Sequence, residues 1–144
     1  DSGKVDAWVI WDPFLAAANL AGARTLASGD NLVANRLFYV ARREFAEKHP
    51  ELLRITLDEF NNLSGWESKH PEESSKILAA ASGVSYEALL LSEKRHAYGI
   101  QPINDDVLAA QQAIADAFSK LELIPKNIET RDAFLPAAVF AGAP

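Results

Sequence analysis

Val5-Asp6-Ala7-Trp8-Val9-Ile10-Trp11-Asp12-Pro13-Phe14 decides how the rest of this sequence is read. Side chains alternate across a strand, so Val5, Ala7, Val9 and Trp11 share one face and Asp6, Trp8 and Ile10 the other. Beyond Asp6 both faces are apolar, the pattern of a strand covered on two sides in an α/β sheet. Asp12 is a favoured helix N-cap and Pro13 a favoured first helical residue. A short alanine-rich helix is therefore predicted over residues 14–21, and Gly22 is its natural stop.

The pattern continues outward from there. Residues 24–27 are a short strand candidate, and Ser28-Gly29-Asp30-Asn31 is a turn. Residues 32–41 form a longer apolar strand with Asn35-Arg36 in its middle. A helical turn or two follows over residues 42–48. Pro50 opens a long helix to about Lys69, with Leu53, Leu57, Phe60 and Leu63 as its stripe. Pro71 starts the next helix, which ends near Gly83. Ser85 caps a helix to about Glu93, whose Ala88-Leu89-Leu90-Leu91 segment is expected inside. Residues 95–103 are a loop. Asn104 caps a last clear helix, with Asp105 and Asp106 at its positive end and Val107, Ala110, Ile114, Phe118 and Leu121 as its stripe. After Pro125 the chain is irregular, with one turn around residues 131–134 and a fraying tail over residues 137–144.

The order is β-α-β-β and then helices. Two or three strands cannot face so many helices, because a mostly parallel sheet needs more strands and cover on both sides. The chain has no Met and opens on Asp1-Ser2-Gly3-Lys4 directly before an apolar strand, with no signal-peptide pattern. The expectation is a piece of a longer protein.

Composition excludes several classes. With 49% apolar and 24% charged residues, the chain fits an ordinary soluble globular protein, and no stretch approaches the ~20 apolar residues of a membrane span. Its net charge of −6 and its two basic pairs, Arg42-Arg43 and Lys94-Arg95, give no stripe for displacing phosphate counterions, so nucleic acid is not an expected partner. There is no Cys, hence no disulfide and no thiolate metal site. No G-x-S-x-G, phosphate-cradling glycine loop or H-E-x-x-H occurs. No catalytic residue, metal ligand or cofactor is expected.

Residues 5–14 resemble a signature of the aliphatic sulphonate-binding proteins and their taurine- and nitrate-binding relatives, which are type II periplasmic binding proteins. The resemblance continues through Gly22-Ala23-Arg24-Thr25-Leu26, Phe38-Tyr39-Val40-Ala41-Arg42 and Phe45-Ala46-Glu47-Lys48-His49-Pro50. It returns at Gly99-Ile100-Gln101-Pro102-Ile103, at Ala109, Gln111, Gln112, Ile114, Ala115 and Asp116, at Leu123-Ile124-Pro125-Lys126 and at Arg131-Asp132. It implies an α/β fold of the type II periplasmic binding protein class, present as the carboxy-terminal half of a two-lobe molecule. Residues 1–27 would be the end of the second lobe and the return hinge strand, and residues 28–144 the mainly helical carboxy-terminal part of the first lobe. The implied function is the substrate-binding component of an ABC importer, holding an aliphatic sulphonate in the interlobe cleft as a sulphur source. The implied partners are a small organic anion, the importer's membrane permease and the missing amino-terminal half. The implied location is periplasmic, or extracellular and lipid-anchored in bacteria lacking an outer membrane.

Ligands of open α/β sheets bind where strand carboxyl ends meet helix N-termini, where backbone N–H groups and the helix dipole favour an anion. The Trp11-Asp12-Pro13 junction is such a place. Trp11 and Trp8 can wall an alkyl tail, or both can be core with Asp12 only a cap. Asp12 repels an anion and is assigned to capping. Asn35 and Arg36 interrupt an apolar strand, so they face either a cleft, where Arg36 can fork onto a sulphonate, or a surface salt bridge. His96 can donate to an anion or stand there incidentally; His49 and His70 precede prolines at helix starts and read as structural. Other small anions (taurine, nitrate) or a thiamine precursor are alternative ligands. An enzyme of the thiamine-precursor type and a helical interaction domain are the other classes.

Overall fold

A computed structural model describes residues 3–30 and 32–135. It contains α1 (Phe14–Leu20), α2 (Arg43–Lys48), α3 (Pro50–Glu67), α4 (Pro71–Ser82), α5 (Tyr86–Glu93), α6 (Asp105–Lys120) and a 3-10 turn, Thr130–Ala133. Every helix expected from local signals is present. Asn31 of the expected turn and the expected fraying of residues 137–144 lie outside the described residues.

The expected strands differ. Residues 5–11, 24–27 and 33–41 run outside any helix but form no β-ladder among the described residues. The physical reason is that a helix satisfies its backbone from within, whereas a strand needs a neighbour's N–H and C=O. Their apolar side chains are correspondingly uncovered: Val9 is 92% exposed, Leu37 87% and Val40 91%.

The helices are held by the signals that predicted them. Ser85 Oγ accepts from the Ala88 N–H at 3.3 Å, and Asn104 Oδ1 from the Val107 N–H at 3.0 Å. Gly83, at φ 74°, closes α4 on the Ala79 carbonyl, a left-handed position that suits only glycine cheaply. Two corners repeat one motif, Phe45-Ala46-Glu47-Lys48-His49-Pro50 and Trp66-Glu67-Ser68-Lys69-His70-Pro71. The proline keeps the residue before it out of the helical region. His49 (φ −133°, ψ 50°) and His70 (φ −130°, ψ 49°) turn the chain almost identically. Each imidazole lies against the aromatic ring four residues earlier, with centroids 5.3 Å and 5.2 Å apart. Both histidines thus have the structural role expected of them.

The chain forms two compact units. The first comprises residues 1–39 and 61–99, the second residues 40–60 and 100–144, so α3 contributes to both. In the first, α5 packs on α4 and on α1. Small side chains allow that closeness: Ala16, Ser75 and Ala88 are fully buried and Ser74 and Leu89 nearly so. The Ser75 hydroxyl is satisfied by donating to the Pro71 carbonyl at 2.6 Å. In the second unit, α6 carries the chain beyond it. Gln112 Oε1 accepts from the Thr130 N–H (2.9 Å) and hydroxyl (3.0 Å), and its Nε2 donates to the Ile128 carbonyl at 2.9 Å. Arg131 pairs with Asp105 at 3.0 Å, and Arg43 donates to the Asp132 carbonyl. No helix among the described residues is long and apolar enough to cross a membrane.

Candidate functional site

The junction after residue 11 is built by Asp12. Its Oδ1 accepts from the Ala16 N–H at 2.9 Å, while the Trp11 carbonyl accepts from the Leu15 N–H at 2.9 Å. The helix begins at Phe14 as expected, but its N-cap is Pro13, and Asp12 braces its first turn from one residue earlier. Its carboxylate occupies one of the N–H groups that an anion at this end would use.

A residue noted in the sequence as part of the Lys94-Arg95 pair compensates this charge. Packing of α5 on α1 brings Arg95, just after α5, to the junction. Arg95 Nη1 lies 3.4 Å from Asp12 Oδ1 and 3.4 Å from Asn19 Oδ1, and Nη2 lies 3.3 Å from the same Asn19 oxygen. These contacts are at the long end of hydrogen bonding. The guanidinium cancels the Asp12 charge while remaining half-exposed. The junction thus carries an ion pair, where the sequence alone suggested a lone carboxylate. The only local hint was a polar loop; the Asp12–Arg95 pairing spans 83 positions.

The other candidates lie in the same compact unit. Trp8 is 69% exposed and Trp11 63%, so neither is a core residue within the described chain. Asn35 and Arg36 are exposed as well. Among the described residues, no hydrogen bond, ion pair or ring contact joins any two of Trp8, Trp11, Asn35 and Arg36.

The loop carrying Arg95 has a second polar cluster. Tyr98 Oη donates to Glu93 Oε2 at 2.8 Å, and Ser74 Oγ lies 3.5 Å from that oxygen. The His96 ring meets the Tyr98 ring edge-on at 5.0 Å. The Gly99 N–H donates to Ser64 Oγ at 2.8 Å. Burial pushes the Glu67 carboxyl above its ordinary value; the Glu93 charge adds to this and His96 opposes it. Burial likewise pushes the Tyr98 phenol up, reinforced by its hydrogen bond to Glu93 and by the charges of Glu93 and Glu67. The cluster ties the loop to α3, α4 and α5 and holds protons. It does not pair a nucleophile with a base. Among the described residues, no three His, Cys, Asp or Glu side chains are grouped to hold a metal ion.

No family model matches the chain. It is 35% identical over 131 residues to a putative aliphatic sulfonates-binding protein of Escherichia coli (strain K12), across 90% of this chain and 41% of that protein. The corresponding Bacillus subtilis (strain 168) protein is 28% identical over 134 residues, across 92% and 40%. The crystal structure of the periplasmic aliphatic sulphonate binding protein SsuA from Escherichia coli superposes with a TM-score of 0.87 at 33% identity, across 93% of this chain and 44% of that one. The chain is a relative of the aliphatic sulphonate-binding proteins. The alkanesulfonate-binding protein SsuA from Xanthomonas axonopodis pv. citri, solved bound to MOPS, superposes with a TM-score of 0.79 at 32% identity, across 92% and 46%. The chain spans less than half the length of each of these sulphonate-binding relatives. The fold is that of part of a periplasmic binding protein, as the resemblance implied.

Proposed function

We propose that this chain is the carboxy-terminal half of the substrate-binding component of an ABC importer and that the whole protein captures an aliphatic sulphonate for uptake. The observation that carries this reading is the end-to-end likeness, over 93% of the chain, to a sulphonate-binding protein. A relative at 32% identity holds MOPS, itself an alkanesulphonate buffer. In this reading residues 1–27 close the second lobe and residues 28–144 belong to the first. The permease of the importer and the amino-terminal half are its partners, and the periplasm is its compartment. It is a binder and not an enzyme.

The chemistry is simple. A sulphonate presents three acceptor oxygens and one delocalised charge, so it needs donors, a nearby cation and apolar walls for its tail. Arg36 and Asn35 supply donors, Trp8 and Trp11 the walls. Arg95 offsets the repulsion that Asp12 would otherwise exert on the ligand. Closing the cleft would exclude water and strengthen each of these contacts.

Thermal melts of the full-length protein test the reading. Ethanesulphonate, propanesulphonate and taurine should raise the midpoint in a saturable way, following RT ln(1 + [L]/Kd). A shift with nitrate alone would move the assignment to inorganic anions. No shift with any of them would refute it.

A further inference from the structure

The first His-Pro corner carries a groove that uses none of the candidate residues Trp8, Trp11, Asn35 and Arg36. A groove of about 320 Å³ is lined by Arg42, Glu44, Phe45, Lys48 and His49. That volume is at the lower end of small-ligand pockets. Arg42 and His49 flank the two ends of α2, and Phe45 and Lys48 stand within it. The aromatic ring in the middle is 43% exposed. Glu44 is the one acid of the lining, and Lys48 holds it at 2.7 Å. Those two charges cancel, which leaves Arg42 as the uncompensated cation of the groove. Among the described residues its guanidinium has no hydrogen-bond partner, and neither has the His49 ring.

The second corner repeats the aromatic ring, the lysine, the histidine and the proline, with matching angles at the histidine, so those residues are explained by the turn itself. The Arg42 side chain makes no hydrogen bond to the corner among the described residues, so the turn does not require an arginine there. We infer that Arg42, Phe45 and His49 form a binding site for a small organic monoanion with a flat apolar body, such as an aryl sulphonate or aryl carboxylate. The ring stacks on the body, Arg42 forks onto the anion and the imidazole gives a further donor. This inference stands independently of the aliphatic-sulphonate reading, since it uses none of that site's residues.

Amide NMR of the full-length protein, titrated with benzenesulphonate, benzoate and neutral benzyl alcohol, tests it. Both anions should shift the Arg42, Phe45 and His49 amides saturably, and benzyl alcohol should not. Arg42→Leu, which removes the guanidinium, should weaken both anions about tenfold or more, and Arg42→Lys, which keeps charge but loses the fork, by less. Three results would overturn the site: equal shifts with benzyl alcohol, undiminished binding in Arg42→Leu, or anion-induced shifts at Trp8 and Trp11 with none at Arg42, Phe45 and His49. If Arg42→Leu does not fold, the wild-type comparison of anion with alcohol still decides.

Discussion

Arg95 shows how one side chain can offset the charge of another at a helix start. Alone, Asp12 would repel a sulphonate; Arg95 at 3.4 Å opposes that repulsion. Arg95→Gln in the full-length protein should therefore weaken alkanesulphonate binding about tenfold, or ~1.4 kcal/mol. Asp12→Asn added to it should recover part of the loss, and a double-mutant cycle by calorimetry would measure the coupling. Glu67 makes a pH prediction. Its carboxyl is raised in the folded state, mainly by burial, so the native protein holds that proton more tightly than the unfolded chain does. Stability from this group is complete below the ordinary value of 4.5 and is lost as pH rises through the raised one. Glu67→Gln, which cannot ionise, should melt higher than wild type at pH 7 and at the same temperature near pH 4. A difference that does not vary with pH would contradict this.

At the scale of elements, the helices stand on local chemistry. Removing either cap, by Ser85→Ala or Asn104→Ala, should cost about 1 kcal/mol in a denaturant titration. Ala88→Leu would force three further carbons into the contact that α5 makes within its unit, where Ala88 has no exposed surface, and should cost about 1–3 kcal/mol. That locality is why the helices were legible: Pro50, Pro71, Ser85, Asn104 and Gly83 act within a few residues of where they stand. The three expected strands were legible only as apolar alternation, because the ladder that completes a strand comes from residues elsewhere. The candidate site divides in the same way. Asp12 was readable as a side chain that closes the helix start, since its partner Ala16 is four residues on. Arg95 was not, since folding alone brings it to Asp12. The paired His-Pro corners were readable in principle, as an aromatic followed four residues later by His-Pro, twice.

At the scale of the molecule, exposure is the dominant fact. Among the described residues only Ala16, Ala46, Ala88 and Leu89 are buried apolar side chains, while Trp8, Val9, Trp11, Leu32, Leu37 and Val40 are all exposed. Apolar burial is the main term opposing the entropy of the unfolded chain. So small a core calls for further polypeptide over the extended segments. The relatives, more than twice as long as the part matched, have length enough to supply it. In isolation the chain should self-associate, as uncovered edges and apolar patches do, and co-expression with the amino-terminal half should give a one-to-one complex by light scattering. Calorimetric titration of that complex, or of the full-length protein, with propanesulphonate and with propanol decides whether the whole protein is a sulphonate binder. Propanesulphonate should bind saturably and one to one, with binding lost or greatly weakened in Trp11→Ala, and propanol should not bind. Absence of propanesulphonate binding, or equal binding of the alcohol, would contradict the sulphonate reading.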